Sequence, residues 1–183
     1  MTQVQLDQFN NDAYRPGPLV RRSLWYLVSL AFFDNGFPWP SSLRILWLAL
    51  FGAELGKGIV IKPRVRIKYP WKLKIGSHSW IGEGVWIDNL DLVSIGDHCC
   101  LSQGAYLLCG NHNYKKASFD LMTAPIRMEN GSWAGAQSIL APGAILGEEA
   151  VLTAGSVGLG ELAERQIHQG NPAKPLRNRV IEP

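Results

Sequence analysis

Residues 75–87 read IGSHSWIGEGVWI, in which a large aliphatic side chain returns at every sixth position: Ile75, Ile81, Ile87. The step continues in both directions. After two extra residues it gives Ile95, Leu101 and Leu107; backwards, across a second two-residue insertion, it gives Ile67, Ile61 and Leu55. Beyond an interruption the register resumes at Met128 and runs through Ala134, Leu140, Leu146, Leu152 and Gly158. Of these fifteen positions only Ala134 and Gly158 lack a large apolar side chain. Repetition at a fixed short period predicts a solenoid, in which each coil buries its apolar face against the next.

A weaker register supports the first. Two residues before the large positions stand small or β-branched side chains, among them Ser79, Val85, Cys99, Ala105, Ser132, Ser138, Ala144, Ala150 and Ser156. Alternation of period two within a six-residue unit predicts a short strand with one large and one small side chain inward. Glycine often follows the large residue (Gly56, Gly76, Gly82, Gly96, Gly135, Gly147), where a tight corner is expected. Three units close one triangular coil, so 55–74, 75–94 and 95–112 are three coils. Both two-residue insertions fall in a third unit, hence on one corner. The expected fold is an all-β solenoid, a parallel β-helix of hexapeptide repeats over 55–160 with an inserted loop at 113–127 and a short C-terminal tail at 161–183.

Residues 1–54 form an N-terminal extension expected to hold two short helices capping the solenoid. The apolar run Ser23–Phe33 is too short for the roughly 20 residues that span a bilayer. Leu24, Leu27, Val28 and Ala31 follow helical spacing, and Ser41 or Ser42 can cap a second helix after Pro40. Arg21, Arg22 and Arg44 beside Trp25, Trp39 and Trp47 would suit a peripheral membrane contact. The favoured reading packs these helices on the solenoid end or on a neighbouring subunit. The opening MTQVQLDQFNNDAY has neither the basic nor the apolar region of a signal peptide.

The chain has 183 residues, 46% hydrophobic and 18% charged, which fits one domain and excludes a disordered polymer. A net charge of +3 is far from that of a nucleic-acid-coating protein, so no nucleic-acid partner is expected. Three cysteines, two of them adjacent (Cys99, Cys100, Cys109), fit a reducing, cytoplasmic setting. Between Lys57 and Lys74 lie seven basic residues and no acidic one: Lys57, Lys62, Arg64, Arg66, Lys68, Lys72 and Lys74. They could attract an anionic partner at the inner face of a membrane. The plainer expectation is that Lys62, Arg64, Arg66 and Lys68 alternate outward on strands of a terminal coil.

A solenoid carries function where its period fails. Here the failure begins after Cys109-Gly110-Asn111-His112 and reads NYKKASFDLMTAPIR. A histidine at the root of an excursion is placed to act as a general base near neutral pH. His78 and His98 occupy equivalent positions one coil apart and should stack outward; His168 lies in the tail. No acidic or cysteine partner stands at metal-ligand spacing, so no metal is expected.

The units IGSHSW and IGEGVW, the run APGAIL-GEEAVL-TAGSVG, the histidine before the loop and the closing GNPAK resemble the hexapeptide-repeat, left-handed parallel β-helix acyltransferases. Within that group, IKPRVRIKYPWKLKIG, WIGEGVWIDN and SQGAYLLCGNHNY are similar to colanic acid biosynthesis acetyltransferases and to the galactoside, maltose and nodulation-factor O-acetyltransferases. The resemblance covers about 55–177. It implies a left-handed helix, a homotrimer with sites between neighbouring subunits, and acetyl transfer from acetyl-CoA to a sugar hydroxyl in exopolysaccharide synthesis.

By the same resemblance His112 matches the catalytic histidine. Backbone N–H groups near Gly135 and Ala136 would stabilise the oxyanion, and Trp133 matches an aromatic residue at the site. Asp88, Asn89, Glu83 and Asn111 fall at or near the acceptor side, with Leu90 where the galactoside enzymes carry a carboxylate. The saccharide acceptor could be free, nucleotide-linked or lipid-linked. Acetyl-CoA would pass Ala136 and Ala154 and meet Lys174 and Arg177 with its phosphates. Many relatives carry Thr-Lys after the match to Gly155-Ser156-Val157, where this chain has Gly158-Leu159-Gly160. The alternatives are N-acetylation of a nucleotide-linked amino sugar and a solenoid scaffold without activity. A γ-type carbonic anhydrase would need a second histidine at Ala117.

Overall fold

The computed structural model describes residues 3–182. From Glu54 onward the chain winds through six coils of a parallel β-solenoid with three faces. Face A stacks Glu54–Leu55, Leu73–Ile75, Val93–Ile95, Ile126–Met128, Ile145–Leu146 and Glu161–Leu162. Face B stacks Val60–Ile61, Trp80–Ile81, Cys100–Leu101, Trp133–Ala134, Val151–Leu152 and Gln166–Gly170. Face C stacks Arg66–Ile67, Trp86–Asp88, Tyr106–Leu108, Ile139–Leu140 and Val157–Gly158.

The six-residue register is the interior. Leu55, Ile75, Ile95, Met128 and Leu146 pair in sequence up face A. Ile61, Ile81, Leu101, Ala134 and Leu152 do so on face B, and Ile67, Ile87, Leu107, Leu140 and Gly158 on face C. The small positions Ser79, Val85, Cys99, Ala105, Ser132, Ser138, Ala144, Ala150 and Ser156 are buried beside them. Gly158 interrupts the large series because Leu162 fills the space. A Cβ there would lie 2.9 Å from Leu162 Cδ1 and 3.0 Å from Leu140 Cδ2.

The glycines after the large positions serve a purpose other than the expected one. They do not adopt left-handed backbone; they admit the neighbouring coil. A Cβ on Gly82 would stand 2.7 Å from the carbonyl oxygen of Leu101, and one on Gly135 would stand 2.6 Å from the amide nitrogen of Ala154. The left-handed corner falls two residues later, as at Gly84, where φ is 69°.

The stack also runs past the last residue of the register. Glu161–Leu162 and Gln166–Gly170 form a sixth coil, and His168 occupies the inward position above Leu152. His168 is therefore buried, its Nε2 3.1 Å from the Ala163 carbonyl, rather than part of a loose tail. Ala173–Asn178 then folds back antiparallel on Gln166–Gly170 and covers the open edge of face B.

Two helices close the other end: α1 (Leu19–Phe32) and α2 (Ser41–Leu50). The inward side of α1 is set by Trp25, with Val28 and Phe32 partly buried, while Leu24 and Leu27 are exposed. The spacing found the helix but not its buried face, because α1 is apolar on nearly every side. Neither serine caps α2. Pro40 holds the N-cap position, and Ser41 Oγ accepts from the Ile61 N–H at 3.0 Å, tying the helix to the first coil.

Several of the arginines and tryptophans proposed for a membrane surface are engaged by the fold itself. Arg44 is fully buried and donates to the carbonyls of Phe32, Trp39, Ile61 and Phe37 at 2.6–3.1 Å. Arg21 donates to the Phe51 carbonyl and lies over the Trp71 ring, and Trp25 Nε1 donates to the Ile67 carbonyl. No helix among the described residues is long and apolar enough to cross a membrane.

The basic segment alternates outward as expected and is largely paired. Lys74 meets Glu54, Lys68 meets Asp88 and Arg64 meets Glu83, while Arg66 lies over the Trp86 ring.

Candidate active site

The chain leaves its six-residue step three times between face C and face A: twice by two residues and once by the long interruption. All three departures therefore stack on one corner. The long one is a β-hairpin, not an open loop. Gly110–His112 pairs antiparallel with Leu121–Thr123, placing His112 opposite Leu121. The chain re-enters the stack at Ile126, directly over Val93, so Ile126 and Arg127 already belong to the fourth coil.

Within the hairpin the His112 ring sits among aromatic neighbours. Phe119 stacks on it with centroids 4.5 Å apart, and the Phe9 ring stands 5.8 Å away. His112 Nδ1 lies 2.9 Å from the Phe119 carbonyl oxygen. A carbonyl only accepts, so Nδ1 carries the hydrogen and the neutral ring keeps its lone pair on Nε2. Phe119 reaches this geometry with φ at 50°, a left-handed conformation that a bulky residue adopts only under local constraint.

The histidine borders a cavity of about 490 Å³ on this corner, within the range that holds small ligands. Asp88, Leu90, Lys68 and Tyr69 contribute from the coils, Asn111 from the hairpin, and Phe9, Tyr14 and Arg22 from the N-terminal extension. The extension is anchored across the corner. The Gln5 N–H donates to the Ala117 carbonyl, and Tyr14 Oη donates to the Leu90 carbonyl at 2.8 Å. Burial, with Tyr69, Asp88 and Asp91 nearby, holds the Tyr14 phenol well above its usual pKa. The Asp88 carboxylate is nearly buried and meets Lys68 Nζ at 2.8 Å, a charge–charge contact rather than an aligned hydrogen bond.

The structure divides the expected acceptor residues. Asp88 and Asn111 border the cavity, and Asn111 Oδ1 accepts from the His112 N–H. Asn89 lies beneath it, fully buried. Its Oδ1 accepts from the N–H groups of Lys68 and Tyr69, and its Nδ2 donates to the carbonyls of Tyr69 and Lys72, so no bonding capacity faces a ligand. Glu83 stands on the corner between faces B and C, exposed and paired with Arg64, away from the cavity. Trp133 projects from face B and donates to Ser102 Oγ at 2.9 Å.

The expected coenzyme residues lie on that same B-to-C side. The Gly135 N–H is spent on the Leu152 carbonyl within the ladder, which removes it as an oxyanion donor. The Ala136 N–H donates to no group among the described residues, and Ala154 is an exposed small residue one coil on. Lys174 and Arg177 are exposed on the returning strand. Among the described residues no three His, Cys, Asp or Glu side chains are grouped to hold a metal ion.

Sequence reasoning missed Phe9, Tyr14 and Arg22, which lie outside any period. The aromatic spacing Phe9–Tyr14 before a helix start was the only signal available.

No family model matches the chain. It is 34% identical over 171 residues to "Putative colanic acid biosynthesis acetyltransferase WcaF" of Escherichia coli (strain K12), covering 91% of this chain and 92% of that protein. It is 23% identical to the galactoside O-acetyltransferase of the same strain, over 79% of this chain and 73% of that one. Among solved structures it superposes with TM-score 0.79 on the hexapeptide-repeat acetyltransferase VCA0836 of Vibrio cholerae O1 biovar eltor complexed with acetyl-CoA, at 20% identity and 88% coverage of each chain. The repeat, the stacked corner and a relative that matches nearly end to end agree, and the chain belongs to the hexapeptide-repeat acetyltransferases.

Proposed function

We propose that this enzyme transfers the acetyl group of acetyl-CoA to a hydroxyl of a saccharide, with His112 as general base. The observation that carries the reading is the bond from His112 Nδ1 to the Phe119 carbonyl, which leaves Nε2 as a fixed proton acceptor beside a cavity. His112 takes the proton as the sugar oxygen forms its bond to the thioester carbon, and the Ala136 N–H is the donor available to the developing oxyanion. As the carbon–sulfur bond breaks, His112 returns the proton to the departing thiolate. The names of the similar proteins, a galactoside O-acetyltransferase and a colanic acid acetyltransferase, support a saccharide acceptor and a role in exopolysaccharide synthesis.

The working enzyme is a homotrimer in this reading. His112 follows face C, whereas Ala136, Ala154 and Trp133 belong to face B and the corner beyond it, so one chain cannot assemble both halves of the site at a single corner. Faces B and C also carry apolar groups outward (Trp80, Trp133 and Ile167; Trp86, Tyr106 and Ile139), whereas the outward residues of face A include Glu54, Lys74 and Arg127. Small residues at half-buried Ala136 and exposed Ala154, with basic Lys174 and Arg177 beyond, suit the pantetheine and phosphates of the coenzyme. The three cysteines, all unpaired, support a cytoplasmic setting.

Thiol release from acetyl-CoA, measured over a panel of saccharides, tests the reading. Wild type should exceed His112→Ala by at least about 10²-fold in kcat with the true acceptor. Equal release by the two proteins with every acceptor overturns it.

A further inference from the structure

Among the described residues, Arg22 is the one charged side chain bordering the cavity that has no partner. It sits in the first turns of α1, half-buried, with Nε fully enclosed and without a hydrogen-bond partner. Among the described residues no carbonyl, carboxylate or hydroxyl accepts from its guanidinium. The other charged groups that border the cavity, Lys68 and Asp88, answer each other at 2.8 Å. The first turn of α1 carries no acidic residue that could compensate. The contrast with Arg44, which satisfies its donors on four carbonyls one helix away, shows what the fold does with a structural guanidinium.

A guanidinium N–H enclosed without an acceptor is costly to maintain, and the planar fork that carries it matches the paired oxygens of a carboxylate or phosphate. Leu90, which also lines the cavity, contributes no charge to repel such a group. We infer that Arg22 seats an anionic group of the acceptor saccharide, so that the substrate class is acidic or phosphate-bearing sugars rather than neutral ones. The inference rests on the cavity beside His112 being the acceptor site.

Calorimetric titration of galactose, galacturonate and galactose 1-phosphate into wild type and Arg22→Gln reads this directly, without acetyl transfer. At least one of the two anionic sugars should bind wild type about tenfold or more tightly than galactose. Arg22→Gln should abolish the preference, and Arg22→Lys should restore part of it. Preference for galacturonate alone assigns a carboxylate; preference for the phosphate alone assigns a phosphate ester. Absence of any preference in wild type, or its persistence in Arg22→Gln, overturns the inference. Thermal melts of each variant separate loss of the seat from loss of the fold. If the anion preference is present while no acceptor yields more thiol than His112→Ala, the proposed reaction fails and the seat stands. If transfer is robust and the preference absent, the reverse holds.

Discussion

Four histidines occupy this chain, and what separates them is the partner of one ring nitrogen. His78 and His98 stack on each other at 5.1 Å on the surface, as their equivalent positions in the repeat predicted. His168 is sealed in the last coil, and only His112 joins a fixed Nδ1–H to a ring edge that borders a cavity. Its candidacy was legible because the repeat stops beside it. The acceptor residues were less legible, since alternation tells inward from outward but not which corner a residue reaches. Thus Asn89 proved to be a staple under the cavity and Glu83 to belong to another corner. Asn89→Ala should lower stability by about 2 kcal/mol in urea unfolding, since four backbone groups lose a buried partner. Arg44→Met should cost at least about 3 kcal/mol for the same reason, with four carbonyls between the helices and the first coil each losing a charged donor. A cost below about 1 kcal/mol in either variant would contradict the assigned role.

Among elements, the coils were readable and the helices only partly so. A strand in a stacked coil has one environment per residue, repeated six positions on, so pattern alone fixes its inward face. Helix α1 is apolar nearly all round, and its orientation comes from groups no period encodes: the Trp25 indole on Ile67, Arg21 on Phe51, and Arg22 at the cavity. The glycines sharpen what a coil requires. Gly82→Ala drives a Cβ into the backbone of the next coil at 2.7 Å, whereas at Gly84 a Cβ would find its nearest atom at 3.9 Å and would meet only an unfavourable φ. Gly82→Ala should therefore lower stability by about 2–3 kcal/mol and Gly84→Ala by about 1 kcal/mol, read from urea midpoints. The opposite order would mean that corner backbone, not coil separation, limits the stack.

For the whole molecule, the proposed trimer, with its site split between corners, has a genetic signature. His112→Ala and a variant blocked on the coenzyme side, such as Ala154→Trp, should each be inactive alone. Unfolded together and reassembled in equal amounts, they should recover activity in roughly a quarter of their sites, because a symmetric trimer then pairs intact halves across some interfaces. No recovery in assembled trimers would place both halves in one chain. The molecule should also weaken on the alkaline side. Burial raises the Cys109 thiol from 9.0 to about 11, and Cys99 and Tyr14 shift the same way. The unfolded chain thus loses these protons first, so stability is full below pH 9 and falls as pH rises towards 11. Cys109→Ala should flatten that decline in a series of urea titrations; an unchanged slope would assign it to other groups. One further consequence follows from the hairpin's return. Because Ile126 lands over Val93, the part of the excursion beyond His112 is spliced into the coil without shifting the register of the frame. Its length and chemistry can diverge with the substrate while faces A, B and C remain the same frame.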